Sequence, residues 1–265
     1  MLAGSEWLSA SIWGPILSQV CVWVLLHFIL KSFYPKRTIE PINKMVTALH
    51  SVLCITLGGY VVWTENLHSE IGAQMLPMQR RLLQIGAGYF FYDLGVATTL
   101  GHWGMTLHHF SSIVGLLSCL RDDKSGTELV YCTFIAELST PLLIARHFLR
   151  EQRDKNPSSP QPPPPQPPAH NDPSQSEKRK RSPLRLSAYD WVSLWFCIVF
   201  LGARFGPAPV LTYRTIVSDK NTWMVKGGAF GLQAVSFFWG YKIVTGLGRG
   251  LAAKFCGRKD LAKTY

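Results

Sequence analysis

The sequence predicts an all-α fold: a polytopic transmembrane helical bundle of about seven spans. Three observations carry this expectation. The chain has 265 residues, of which 47% are hydrophobic and only 16% charged, whereas soluble domains carry nearer a quarter of their residues as charges. The apolar residues fall in runs about as long as a bilayer core requires. The charges crowd into the short connectors between those runs, with Lys and Arg unevenly shared between alternate connectors. A formal net charge of +11 follows from basic residues flanking membrane spans, and no nucleic-acid-reading motif accompanies it, so no nucleic-acid partner is expected.

The first span runs from about Ile12 to Phe33, and Pro35 and Pro41 bracket a basic connector with Lys36 and Arg37. The N-terminus lacks a basic n-region and a small-residue cleavage site, so this run reads as a retained span rather than a secretory signal. The second span is about Met45 to Trp63, followed by a polar segment with Glu65, His68, Glu70, Arg80 and Arg81. The third, about Leu82 to Leu100, contains Asp93. A Gly-His-Trp-Gly turn leads into the fourth, about Met105 to Leu120, which opens on His108 and His109. The fifth, about Glu128 to Phe148, holds Glu137 and Pro141. A long connector follows, with a Pro-rich tract at 161–168 and the basic cluster Lys178 to Arg181. Such Pro density favours extended polyproline II and builds no core. The sixth span runs from about Ala188 to Gly206 and is expected to end at Pro207 and Pro209. The seventh runs from about Trp223 to Leu247, before a basic tail.

Seven spans with the N-terminus outside place Lys31, Lys36, Arg37 and Lys44, the whole Pro-rich connector, and the basic tail on the cytosolic side. The outward segments then hold only Arg80, Arg81, Arg121, Lys124, Arg214 and Lys220. This agrees with the positive-inside rule, and the C-terminus is expected in the cytosol. Three segments result: 1–43, the first span and its basic connector; 44–250, a membrane domain interrupted by the connector 156–183; and 251–265, the tail.

Ionisable residues within spans are costly and by default mark a function or a polar contact. Asp93, His108, His109 and Glu137 all come out between the inner leaflet and mid-membrane at a rise of about 1.5 Å per residue. Imidazole near a carboxylate is a usable general base or nucleophile. His108 shares a stripe with Ser111, Gly115 and Ser118, and small residues permit close helix approach, so His108 is expected to face the bundle and His109 to diverge by ~100°. Pro141 has no N–H, which frees the carbonyl of Glu137. Gly86, Tyr89, Asp93 and Ala97 share one face of the third span. Arg204 and Lys242 read as structural, near the outer and inner membrane ends. The cysteines Cys21, Cys54, Cys119, Cys132, Cys197 and Cys256 have no metal-ligand spacing, and the histidines lack the HxxHH pattern of membrane di-iron oxidases, so neither metal nor cofactor is expected. Cys256, in the basic tail, is a candidate palmitoylation site that is expected to carry a free thiol.

Tyr89-Phe90-Phe91-Tyr92-Asp93-Leu94, Met105-Thr106-Leu107-His108-His109, and Gly126-Thr127-Glu128 with Ala136 to Leu143 and Arg146 together resemble the TLC (TRAM-LAG1-CLN8) domain family. The resemblance spans about Lys44 to the tail. It implies helices around a lipid-sized cavity and residence in the endoplasmic reticulum or another endomembrane. His108 and His109 match the family's histidine pair, which the ceramide synthases use to acylate a sphingoid base from acyl-CoA. Those synthases follow the pair with a His-Asp…Asp arrangement, where this chain has Glu137 and no aspartate.

The expectation is a multi-pass membrane protein of lipid metabolism or homeostasis, with acyl transfer at His108 or His109, oriented by Asp93 or Glu137. Acyl-CoA would be the co-substrate and membrane lipids the partners. The residues leave two alternatives open: a non-catalytic lipid-binding regulator of membrane composition, and a trafficking adaptor docking an SH3-like partner at the Pro-rich connector.

Overall fold

The structure is a computed structural model that describes residues 10–65, 70–155 and 187–256, with side chains in the last helix as far as residue 246. The Pro-rich connector with its basic cluster, His68, His170, the Cys256 side chain and the end of the tail lie outside the described residues.

The described chain is helical throughout, apart from one isolated bridge between Gln74 and Lys124. In chain order the helices are α1 (Ala10–Phe33), α2 (Ile39–Thr64), α3 (Pro77–Thr99), α4 (Trp103–Asp122), α5 (Gly126–Glu137), α6 (Thr140–Lys155), α7 (Ala188–Phe205), α8 (Pro207–Val217) and α9 (Trp223–Cys256). Their ends follow local chemistry. Pro77 opens α3 at its first turn, where a missing N–H costs nothing, and Gln79 Oε1 accepts the Leu76 N–H at 3.0 Å. Asp123 turns left-handed (φ 52°) to end α4. Ser187 and Asp190 form a reciprocal capping box at the start of α7.

Two elements differ from the sequence expectation. The fifth span is not one helix: it breaks between Glu137 and Thr140, where Pro141 cannot supply the N–H that the Glu137 carbonyl would accept. The sixth does not stop at Pro207. The chain turns at Gly206 (φ −87°, ψ −92°) and continues as α8, with Pro207 in its first turn. A Cβ at Gly206 would lie 2.5 Å from the Gly202 carbonyl oxygen, so only glycine makes this turn. Pro207 was therefore a start signal, not a stop.

Helix contacts run from α2 to α3, α4 and α9, then to α7 and α8, and through α5 and α6 back to α2. These helices close a ring, and α1 packs outside it against α3 and α2. The main core cluster joins α1 to α5 through Ile12, Ile16, Val61, Leu82, Leu83 and Leu120, with Val130 among its other members. Outward-facing Leu25, Phe28, Trp63, Leu107, Trp195 and Phe230 are exposed, as expected of helices whose outer solvent is hydrocarbon. Among the described residues, four helical stretches are long and apolar enough to cross a membrane: Ala10–Phe33, Ile39–Thr64, Gly126–Lys155 and Ala188–Val217. The helices α3 and α4 pack among them and are less apolar because they carry the polar centre described below.

One end of the ring is fastened by polar contacts between its loops. Gly72 N–H donates to Glu128 Oε1 at 2.6 Å, Gln79 Nε2 to Thr127 Oγ1 at 3.2 Å, and Ser125 Oγ to Asn221 Oδ1 at 2.7 Å. Lys220 pairs with Glu70 at the surface and holds that carboxyl below the usual carboxylate range, chiefly through its hydrogen bond. At the opposite end, Arg37 Nη1 donates to Glu151 Oε1 at 2.5 Å, tying the α1–α2 connector to α6.

Candidate functional site

Asp93 lies two-thirds of the way along α3, on the face with Gly86, Tyr89, Tyr92 and Ala97, all of them buried. It is 5% exposed. A carboxylate at that depth requires partners, and three other helices or positions supply them. From α2, Asn43 Nδ2 donates to Oδ1 at 2.7 Å. One turn earlier on α3, the Tyr89 hydroxyl reaches Oδ2 at 3.2 Å and Thr47 Oγ1 at 3.0 Å. From α4, His109 Nε2 lies 2.7 Å from Oδ2. The network extends outward to α1: Tyr92 donates to Asn43 Oδ1 at 2.8 Å, so its oxygen receives the Nδ1–H of His27, 2.7 Å away. The chain from His27 through Tyr92 and Asn43 thus ends on Asp93.

His109 is 4% exposed. Its ring packs on Phe90 at 5.4 Å between centroids. The Nε2 contact with Asp93 is at ion-pair distance but off the line of a straight hydrogen bond, and Nδ1 has no hydrogen-bond partner among the described residues. Catalytic hydrogen bonds are often misaligned until substrate binds. His108 is only half-buried, its ring 5.3 Å from that of His109 and tilted by 59°. Of the pair, His109 rather than His108 is the more deeply buried, although Ser118 on the His108 stripe is buried too. The stripe of α4 that packs inward is His109, Ile113, Leu116 and Leu120, while Ser111 is exposed. On α3, Gly86, Ala87 and Gly88 are buried, and Gly88 is where α1 approaches closely, at Gln19, Ile16 and Val20.

Glu137, at the C-terminal end of α5, hydrogen-bonds Thr140 and interacts electrostatically with Arg204, His109 and Asp93. Its carboxyl belongs to the same polar interior. Above the dyad, His50 stacks flat on Tyr89 (3.6 Å, 8°) and its Nε2 lies 3.3 Å from Cys54 Sγ. Among the described residues no cluster of three His, Cys, Asp or Glu has metal-binding geometry. On the outer side of α3 and α4, Leu94, Thr98, Trp103, Thr106, Leu107 and Phe110 line an apolar groove of about 370 Å³.

Asn43, Tyr92 and His27 escaped the sequence reading. Asn43 sits one residue before Lys44 and reads as an interfacial connector. The available signal was spacing: tyrosines one and four residues before a membrane-buried aspartate carry hydroxyls that need acceptors. Asn43→Ala is expected to strand the Tyr92 hydroxyl and one oxygen of Asp93. The loss is about 1–3 kcal/mol for each group left unsatisfied, seen as a lower thermal midpoint in detergent, with Asn43→Asp no substitute because it adds a second buried charge.

The fold and the site define a multi-pass helical membrane protein with an ionisable centre inside its helix ring. The family model of the TLC domain, the module of TRAM, LAG1 and CLN8, matches residues 41–245. The chain belongs to the TLC domain family, and its apolar helices fit an integral membrane protein. The match begins within α2, so α1 and His27 lie outside it. No solved structure matches the chain.

Proposed function

We propose that the protein acts in membrane lipid metabolism or homeostasis by acyl transfer at His109. The observation that carries this reading is a buried imidazole with one nitrogen against a partnered carboxylate and the other without a hydrogen-bond partner among the described residues. A carboxylate in that position fixes the tautomer and stabilises the imidazolium that forms. Nδ1 of His109 takes the proton from a lipid hydroxyl or amine as it attacks an acyl thioester such as acyl-CoA. The ester or amide forms, the thioester bond breaks, and the proton passes to the leaving thiolate. Asp93 positions the base, and His108 and Glu137 flank it. The thioester enters from the cytosolic side in a topology of seven spans with a cytosolic C-terminus, in the endoplasmic reticulum or another endomembrane. Within the family, our reading takes the run Gly126 to Glu151 to resemble TLC domain-containing protein 5.

A second reading, a lipid-binding regulator of membrane composition, is favoured by the apolar groove on α3 and α4, which suits an acyl chain without any chemistry. The trafficking-adaptor reading rests on the Pro-rich connector alone; full rescue by a chain lacking 156–183 removes it. The main experiment is lipidomics on cells lacking the protein, rescued with wild type, His108→Ala or His109→Ala. Acyl transfer predicts that His109→Ala, present at normal level, fails to restore the lipid profile. Restoration by His109→Ala rejects catalysis and leaves lipid binding.

A further inference from the structure

Arg204 belongs to the same interior as the histidines, although it reads as a structural residue in the sequence. It projects from α7 and joins three helices. Nη1 donates to Ser236 Oγ on α9 at 3.1 Å, and Nη2 donates to the Ala136 carbonyl oxygen on α5 at 3.2 Å. The guanidinium lies 5.7 Å from the Phe200 ring centroid. Its third edge is different: Nε is buried with no hydrogen-bond partner among the described residues.

Glu137 follows Ala136 directly, so the bond from Arg204 to Ala136 places the guanidinium in the same interior as the carboxyl, with which it interacts electrostatically without a direct ion pair. A guanidinium normally meets a carboxylate through two parallel N–H···O bonds. Here each is held by something else, Arg204 by Ala136 and Ser236, Glu137 by Thr140. Glu137 Oε2 is also buried and unpartnered. The interior thus presents a nitrogen on Arg204 and an oxygen on Glu137 that are both buried and without hydrogen-bond partners among the described residues. Arg204 also acts electrostatically on His108, which puts this pair next to the histidines rather than at a separate site.

We infer that Arg204 and Glu137 form a head-group site for an acylated lipid. The Nε–H of Arg204 takes the carbonyl oxygen of a fatty acyl chain, and Oε2 of Glu137 takes a second O–H or N–H of the head group, leaving the attacking group's proton to His109. A fixed cation beside the acyl oxygen stabilises charge that develops there when the carbonyl is attacked. The inference deepens the acyl-transfer reading and rests on it for the role of the bound group. Its binding prediction stands without turnover.

The test is equilibrium binding to the full chain in nanodiscs with three probes of equal chain length: palmitic acid, a non-hydrolysable ketone analogue of palmitoyl-CoA, and hexadecanol. Wild type is expected to bind the acid, the ketone, or both at least about tenfold more tightly than the alcohol, because a hydrogen bond to a charged group is worth at least that factor. Preference for the acid identifies a free fatty acid as the source of the carbonyl, and preference for the ketone identifies a thioester. Arg204→Gln is expected to remove the margin over hexadecanol. Arg204→Lys keeps the charge should the glutamine variant not fold. It loses the margin too, since an ammonium cannot serve Ser236, Ala136 and the ligand in the guanidinium geometry. Equal binding of all three probes by wild type overturns the site, as does an unchanged margin in a folded Arg204 variant. His109→Ala is expected to keep the binding margin. A margin in wild type without any acyl transfer leaves this site standing and rejects the catalytic reading instead.

Discussion

Asp93→Asn is expected to lower acyl transfer by about 10²–10⁴-fold, the range found when a general base loses its orienting partner. The substitution is nearly isosteric, so Asn43 and Tyr89 keep a neighbour. What changes is the field at His109, whose Nε2 now faces an amide that neither stabilises the imidazolium nor fixes its tautomer. Initial rates in proteoliposomes check this, and the pH profile separates it from a packing defect: a lost base shifts the rate profile, whereas loosened packing lowers the rate evenly. His109→Ala is expected to cost at least as much. The double variant should lose no more than the worse single one, because residues acting as a unit are not additive. Removing His109 leaves a buried carboxylate with one partner fewer, and breaking such a pair costs about 3–5 kcal/mol. Thermal midpoints must therefore accompany every rate.

Gly88→Leu is expected to detach α1 from the ring. A Cβ at residue 88 would lie 2.4 Å from Gln19 Cβ and 3.1 Å from backbone atoms of Ile16 and Val20. Backbone cannot retreat without moving the whole helix. Overpacking of this kind costs about 1–3 kcal/mol even where side chains can adjust, and here they cannot. Since His27 on α1 closes the polar chain at Tyr92, the displacement also strips the network of its outermost donor. Hydrogen exchange along α1 and the thermal midpoint report the effect, and unchanged values for both would contradict this packing. Gly88→Ala should show the same change at smaller amplitude.

Much of this architecture was legible in the chain. Length and hydropathy of the apolar runs placed the helices, whereas the break after Glu137 was not read, although Pro141 frees the Glu137 carbonyl. Asp93 stood out because an ionised group in an apolar run has few explanations. The choice between His108 and His109 was not legible. It depends on which stripe of α4 meets α3, and that stripe is the apolar one through His109, Ile113, Leu116 and Leu120, not the small-residue one through Ser111. The helix after Gly206 was missed because Pro reads as a stop when its preceding turn is unknown. Asn43 and Arg204 were legible as residues but not as partners. A neutral amide at a helix end and an arginine at a span end each have ordinary interfacial explanations, and only the ring closure brings them to Asp93 and Glu137.

The most direct test of the account is reconstitution of the purified chain with a long-chain acyl thioester and bilayer lipids, with acylated products and released thiol counted by mass spectrometry. The account predicts acylated lipid and free thiol in equal amounts from wild type, and none above background from folded His109→Ala. Equal product from both would contradict it.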